Sequence, residues 1–468
     1  MNPDPLVLEH IGWARHQLTA RWRLGALSFH TAYWYPDTDL VALTARYGRD
    51  VMERVHLHTA LFEALKLTSL RPAALDLGPY ARHHTAALEA LVRAVHHGVW
   101  AQWRYENDLP HEALAPFAHA PRAAAATPVA RPAVAPEVLL FCGGGKDSLV
   151  AMKLLERAEI PYASLGYAAS AYGPAAPQHA LLDGLLDLGA PTRRHRQTVL
   201  DDATDAPVLA LHGEAFGTRS VTAAETPSSI FAALPIALDR GYSHLVLGNE
   251  ASANRGNLRW DRTGEEVNHQ WGKSLAAERL LDAYVRAELV ADLGVFSVLM
   301  PLHDVLIFEL LRRDEAAVGR THSCNVRKPW CRRCPKCAYV WLGLRAHLDP
   351  RTTDAVFGED LLEVPENEAH FRGLCGLDAH VPFECVGRVE ESRLALALCA
   401  ARGLLGPRGA ALAAALPPAA LVPELFTAAL DHAAIPAKFA AALAPLMRAA
   451  EVSARDRVEA ALRGAAPA

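Results

Sequence analysis

Phe141-Cys-Gly-Gly-Gly-Lys-Asp-Ser148 is the stretch on which the reading of this chain turns. It closes a short apolar run, Val138-Leu-Leu-Phe141, of the kind found in a strand buried on both faces. From Lys146 onward, Leu149, Met152 and Leu155 fall on one helical face. Three glycines let backbone approach an anion with no side chain between. The helix that follows offers free N–H groups and the positive end of its dipole. Gly143, Gly144, Gly145, Lys146, Asp147 and Ser148 are therefore candidate phosphate contacts, Lys146 adding a charge and Ser148 a hydroxyl. Asp147 is the unexpected member. A carboxylate beside phosphates is repulsive unless a cation intervenes, and Mg2+ binds through one or two carboxylates plus phosphate oxygens. Asp147 is the candidate Mg2+ ligand. A tight strand-to-helix turn is the plainer alternative.

Working outward, Pro161 opens a strand-like stretch from Tyr162 to Tyr167, completing the strand–helix–strand unit of a parallel sheet. Ser228 to Leu238 reads as a helix with Pro235 as its candidate kink. His244-Leu-Val-Leu247 reads as a buried strand ending in Gly248-Asn-Glu250. Ligands in open α/β sheets bind beyond the carboxyl ends of the strands, so loops 143–148 and 248–257 fall on one rim. Polar groups as dense as those of 248–257 are costly unless something binds them. Gly248 and Asn249 join the nucleotide-binding candidates, and Glu250 either shares Mg2+ or acts as a base. Asn268-His-Gln-Trp-Gly-Lys-Ser274 precedes an amphipathic helix whose apolar face includes Leu281, Tyr284, Val285 and Leu289. It supplies His269 and Lys273 as candidate contacts to substrate or phosphate.

Eight cysteines in 468 residues are too few for a disulfide scaffold. Four of them, Cys324, Cys331, Cys334 and Cys337, have metal-ligand spacing, for which four-thiolate Zn2+ is the default and an iron–sulfur cluster the alternative. Four thiolates leave no open coordination position, so the site reads as structural. Arg327, Lys328, Arg332, Arg333 and Lys336 surround it, either holding a phosphorylated substrate or offsetting the site's charge. Cys142 and Cys399 read as packing. Cys385, in Pro382-Phe-Glu-Cys-Val-Gly387, follows a turn that could bring it to the active site.

Helical periodicity at 56–66 and 86–95 marks residues 1–118 as a helical domain, with Trp100 and Trp103 packed between helices. Residues 119–136, rich in alanine and proline, read as a linker. The α/β domain with its cysteine cluster spans 137–390, and a helical region spans 391–468. A net charge of -5 argues against a nucleic-acid binder. The N-terminus lacks the basic start and apolar run of a signal peptide, and no apolar run is long enough for a membrane span. The expectation is a cytoplasmic protein with a small anionic substrate and neither nucleic acid nor membrane as partner.

The glycine loop lacks the Walker A spacing. It resembles the PP-loop, S-G-G-x-D-S, of ATP pyrophosphatases, with Gly143 in place of the first serine. Together with Gly248-Asn-Glu-x-Ser-Ala-Asn254, Asn268-His-Gln-Trp-x-Lys-Ser274 and Pro382-Phe-Glu-Cys-Val-Gly387, it resembles the UDP-N-acetyl-α-D-muramoyl-L-alanyl-L-glutamate epimerase family, MurL. The resemblance runs over residues 10 to 395. It implies a parallel-sheet PP-loop (adenine nucleotide α-hydrolase-like) fold. It also implies ATP- and Mg2+-dependent conversion of the terminal L-Glu of a UDP-linked muramoyl dipeptide to D-Glu, with release of AMP and pyrophosphate. An acyl adenylate removes the charge that makes the α-proton of a free carboxylate scarcely acidic, so a modest base suffices. Glu250, His269 and Cys385 are then the proton-transfer candidates, with Lys273 beside them as a catalytic candidate. The cysteine motif also resembles that of 7-cyano-7-deazaguanine synthase, a compact single domain that would leave both flanking helical regions without a role. A tRNA-modifying PP-loop enzyme would use the basic ring around the cysteines, against which the net charge speaks. A nucleotide sensor without catalysis is a third reading.

Overall fold

Leu18, Ala20, Trp22 and Leu24, then Phe29, Thr31 and Tyr33, repeat with a period of two, which puts them on one face of a strand. In the computed structural model, which describes residues 4–464 apart from 123, 133, 135, 136 and 419, these segments are strands. β1 (Leu6–Trp13), β2 (Gln17–Leu24) and β3 (Leu27–Trp34) form an antiparallel meander. Gly25, at φ +58°, closes the turn between paired Leu24 and Leu27. The expected helical N-terminal domain is thus corrected: helices begin only at Leu40–Tyr47 and Arg49–Ala64, followed by Ala86–Val99.

The meander does not stand apart. With β4 (Leu75–Asp76), β5 (Val138–Cys142), β6 (Tyr162–Ala169), β7 (Arg194–Asp201), β8 (His244–Leu247) and β11 (Gly294–Ser297) it makes one nine-stranded sheet, while β9 (Leu258–Arg259) and β10 (Glu266–Val267) form a separate hairpin. The order is β11-β8-β5-β6-β7-β3-β2-β1-β4, parallel from β11 to β7 and antiparallel where β7 meets β3. The expected linker therefore does not separate two domains. Its described residues are tied down: Arg54 Nη2 donates to Thr127 O at 2.7 Å, and Arg131 Nη1 to Gly241 O at 2.8 Å. Residues 123, 133, 135 and 136 of that stretch lie outside the described residues.

Helices cover both faces of the parallel half. Leu140 of β5 packs with the helices Lys146–Arg157, Asp304–Arg312 and Pro335–His347, while Leu139 packs on the other side with Arg49–Ala64 and Glu225–Arg240. This is the layering of an α/β sheet. The C-terminal region is helical and joins the first of these cores. Its helix Ala437–Leu462 lies on Asp304–Arg312, where Arg457 Nε meets Glu309 Oε2 at 2.8 Å. Trp100 and Trp103 are buried, their indole N–H groups donating to Ser69 and Thr218 hydroxyls. Among the described residues no helix is long and apolar enough to cross a membrane.

Candidate active site

β5 ends at Cys142, and the chain turns through three glycines into the helix Lys146–Arg157. The glycines differ in purpose. Gly144 sits at φ +88°, and a Cβ there would stand 2.1 Å from His322 Nε2. Gly145 backs onto Ser323, with 3.1 Å between its Cβ position and that of the serine. Gly143 alone of the three has open space beside it. Close approach to a ligand therefore belongs to Gly143, while its neighbours are small so that residues 322 and 323 can lie across the loop. Ser148 Oγ accepts the N–H groups of Gly143 and Gly144 at 3.0 and 3.2 Å, drawing the turn closed and leaving its hydroxyl hydrogen to donate. No side chain caps the helix at Gly145, so its first N–H groups remain for a ligand.

Gly144→Ala should lower the melting temperature by several degrees, since the left-handed conformation costs a Cβ-bearing residue about 1–2 kcal/mol before His322 is displaced. Gly143→Ala should stay within about 2 °C of the parent. Scanning calorimetry of both proteins checks the contrast, and equal melting temperatures would contradict it.

Lys146, expected to reach phosphate, does something else. It is 3% exposed, with Nζ held at 2.5 Å by both Asp147 Oδ1 and Asp304 Oδ1. Asp304 also accepts the Tyr339 hydroxyl, and its N–H donates to Glu391 Oε1 at 2.7 Å. A buried ammonium must be paired, and these carboxylates take up its charge. The cations lining the cleft are Lys273, Lys328 and Lys336 instead.

That cleft, of about 270 Å³, runs between the glycine loop and the loop after β8, because β5 and β8 are neighbours. Asp147, Gly248 and Asn249 line it, and the Cβ position of Gly248 lies 3.6 Å from the Asp147 carbonyl. Glu250 is buried behind them. Burial, with Asp147 and Asp304 nearby, pushes its carboxyl up to about 7 against the pull of Lys146 and Lys273. Such an excess of negative charge suits a cation.

The two other singled-out segments meet at the far side of the cleft. Gln270 Nε2 donates to Val386 O at 3.0 Å, and Asn257 Nδ2 to Pro382 O at 2.8 Å, which pins 382–386 against 268–273. Lys273 Nζ then lies 3.0 Å from Cys385 Sγ. His269 Nδ1 is 2.6 Å from Gln102 Oε1; an amide oxygen only accepts, so Nδ1 carries a proton. The ligand atoms of His269, Glu384 and Cys385 lie within 4.8 Å of one another. Burial pushes the Cys385 thiol up, but Lys273, a hydrogen bond from His269, and Lys336 outweigh it and hold the thiol at about 6. Cys385 and Lys273 also line a second cavity of about 580 Å³, floored by residues 203–227. The two cavities adjoin along a rim of Glu225, Thr226, Lys273, Asn325 and Cys385.

Cys324, Cys331, Cys334 and Cys337 converge as the spacing predicts, all four sulfurs within 4.8 Å. Cys324 and Cys334 are 3.9 Å apart, Cys331 and Cys337 3.8 Å. A tetrahedron with metal–sulfur bonds of about 2.3 Å has an edge of about 3.8 Å. Backbone N–H groups of Val326, Arg327, Arg332, Arg333 and Cys337 point at the sulfurs at 3.4–3.5 Å, as suits thiolates.

Comparison with known proteins bears on these residues directly. The family description "MurL N-terminal domain" matches residues 220–298 and "MurL C-terminal domain" matches 320–406. A protein of Micromonospora sp. named UDP-N-acetyl-alpha-D-muramoyl-L-alanyl-L-glutamate epimerase is 34% identical over 380 residues, 76% of this chain and 79% of its own length. The chain belongs to the MurL family. Two further MurL proteins of the same name, from Salinispora tropica and Xanthomonas oryzae pv. oryzae, are 33% and 32% identical over 66% and 68% of this chain. They are covered over 65% and 68% of their own lengths. No solved structure matches the chain significantly. The matched MurL regions hold Glu225, the 248–250 loop, His269, Lys273, the four cysteines and Cys385, while the glycine loop lies before them.

Sequence reasoning missed Gln102, Glu225 and Asn325, which line these cavities. Gln102 carried a usable signal, since it stands beside Trp103 on the amphipathic stretch that follows the helix Ala86–Val99. Glu225 carried one as the acidic first residue of the helix Glu225–Arg240, with Tyr172 OH donating to it at 2.6 Å. Of the basic ring, Lys328 and Lys336 face the cleft, whereas Arg332 and Arg333 turn outward to Glu359.

Proposed function

We propose that this chain is an ATP-dependent epimerase that inverts the terminal L-Glu of UDP-N-acetylmuramoyl-L-Ala-L-Glu through an acyl adenylate, releasing AMP and pyrophosphate, on a PP-loop ATP pyrophosphatase fold. The observation that carries the reading is the adjoining of a glycine-loop cleft and a larger cavity at Lys273 and Cys385. It is supported by relatives named for this epimerisation. A nucleotide in the smaller cleft would present its α-phosphate to a carboxylate entering from the larger one. Gly143, the uncapped helix start and the Ser148 hydroxyl bind phosphate oxygens, and Lys273, Lys328 and Lys336 offset their charge.

Asp147 and Glu250 would hold Mg2+, which when bound neutralises phosphate charge. The four cysteines would hold Zn2+ in a structural role. Once the carboxylate is adenylated its carbonyl can accept electron density from Cα, and a modest base takes the proton. The UDP-linked substrate places the reaction in the cytoplasm, in peptidoglycan precursor synthesis.

The test is AMP and pyrophosphate release from ATP with Mg2+ and UDP-N-acetylmuramoyl-L-Ala-L-Glu, followed by chiral analysis of the hydrolysed glutamate. D-Glu appearing with AMP is expected. AMP without D-Glu would redirect the adenylate to amide or nitrile products, and no AMP with any acceptor would leave a nucleotide sensor.

A further inference from the structure

An epimerisation at Cα needs a group that can remove an unactivated-looking proton and then stay out of the way of its return. Glu250 is buried among Asp147, Asp304 and Lys146 on the phosphate side, where it suits a cation better than a substrate carbon. His269 lines the larger cavity and not the glycine-loop cleft. Cys385 differs from both. It lies on the rim shared by the two cavities, where the carbon next to an adenylated carboxylate would stand. Its sulfur accepts from Lys273 Nζ at 3.0 Å, and the chain on either side is fixed by Gln270, Asn257 and Lys336, whose Nζ donates to the Cys385 carbonyl.

We propose that Cys385 is the proton-transfer base of the epimerisation, and that Lys273 is a positioning residue that holds its sulfur as thiolate. This rests on the adenylating reading above. The thiolate takes the Cα proton: the Cα–H bond breaks, an S–H bond forms, and the electron pair passes into the acyl-adenylate carbonyl as an enolate. A new Cα–H bond forms on the opposite face with a proton from water in the larger cavity. The thiol returns its proton to water, so none is gained or lost. Around the sulfur, the titratable and charged groups are Lys273 and His269 from 268–273, Lys336 from the helix Pro335–His347, Glu384 beside it, and Tyr172 with Glu225 across the rim. The cations dominate, which is why the thiol lies at about 6 despite burial.

Two measurements test this with the full-length protein. In D2O with ATP, Mg2+ and the UDP-linked dipeptide, each D-Glu formed should carry deuterium at Cα. In Cys385→Ser the ratio of deuterium incorporated to AMP released should fall about 100-fold or more, the range of a general base. If that ratio stays at the parent value, or if AMP release and incorporation fall together, Cys385 is not the base. The second measurement needs no turnover: the rate of iodoacetamide alkylation at Cys385, followed by mass spectrometry against pH. Its midpoint should lie near 6 in the parent and move upward by a unit or more in Lys273→Met, with Lys273→Arg restoring most of the shift. A parent midpoint in the ordinary thiol range overturns the proposal. Failure of AMP release in the parent protein, with the alkylation profile as expected, would sink the adenylating reading and leave the activated thiol standing.

Discussion

Cys337→Ser is expected to abolish metal binding at the four-cysteine site and lower the melting temperature by about 10 °C or more. Binding of Zn2+ to a structural four-ligand site contributes about 10–16 kcal/mol in small peptides, against a total stability of about 5–15 kcal/mol for a typical protein. Losing even a third of that contribution is several kcal/mol, and each costs roughly 2–4 °C in a domain of 150–250 residues. The effect should reach activity as well. Cys334 caps the helix Pro335–His347 and Cys337 sits in its first turn. That helix carries Lys336 to the Cys385 carbonyl and Tyr339 to Asp304. The helix is buried on nearly all sides and packs on the helix Val389–Ala401. Elemental analysis of the parent should find one zinc per chain, and the serine variant none. A parent protein free of metal, or a serine variant that melts with the parent, would make the cysteines a group of packed thiols. Iron with visible absorbance would replace zinc by a cluster.

What the sequence made legible follows from how far apart the deciding residues are. The glycine loop was readable because strand, turn and helix start are consecutive, and the helix begins at Lys146 as its apolar spacing requires. The strand at 244–247 and the cysteine site were readable for the same reason. The partner of Lys146 was not, because Asp304 lies 158 residues away and nothing local marks the pair. Likewise the segments at 268–274 and 382–387 were each recognisable, yet only folding brings Lys273 to Cys385 across 112 residues. The meander at 6–34 is a different case. Its period of two was present in Leu18-Thr-Ala-Arg-Trp-Arg-Leu24, but strong helical periodicity at 56–66 and 86–95 was extended over it. Short strands compete poorly with long helices in such a reading, and pairing with β7 lies outside any local window.

The fate of Lys146 gives the second large effect. Asp304→Ala should destabilise the protein by about 3–5 kcal/mol, the range for breaking a buried ion pair by removing one partner. It should also abolish turnover. Lys146, its side chain 4% exposed, would keep only Asp147, so the carboxylate assigned to Mg2+ would be drawn fully onto the ammonium. The Tyr339 hydroxyl would lose its acceptor at the same time. Burial works against the Asp304 carboxylate, yet Lys146 and Tyr339 hold its pKa below the usual value. Its stabilising contribution is therefore present above the ordinary carboxylate range and lost as pH falls through the depressed value. The parent should lose this contribution on acidification, and Asp304→Ala should lack it throughout. Urea unfolding at neutral and acid pH measures both. Combining Asp304→Leu with Lys146→Met removes both charges at once and should recover much of the stability, since a buried pair is often no better than apolar groups of like volume. Activity should not return, because Asp147 would then have lost the lysine that orients it. If the double variant regains turnover, Lys146 serves packing alone and Asp147 is positioned by other means.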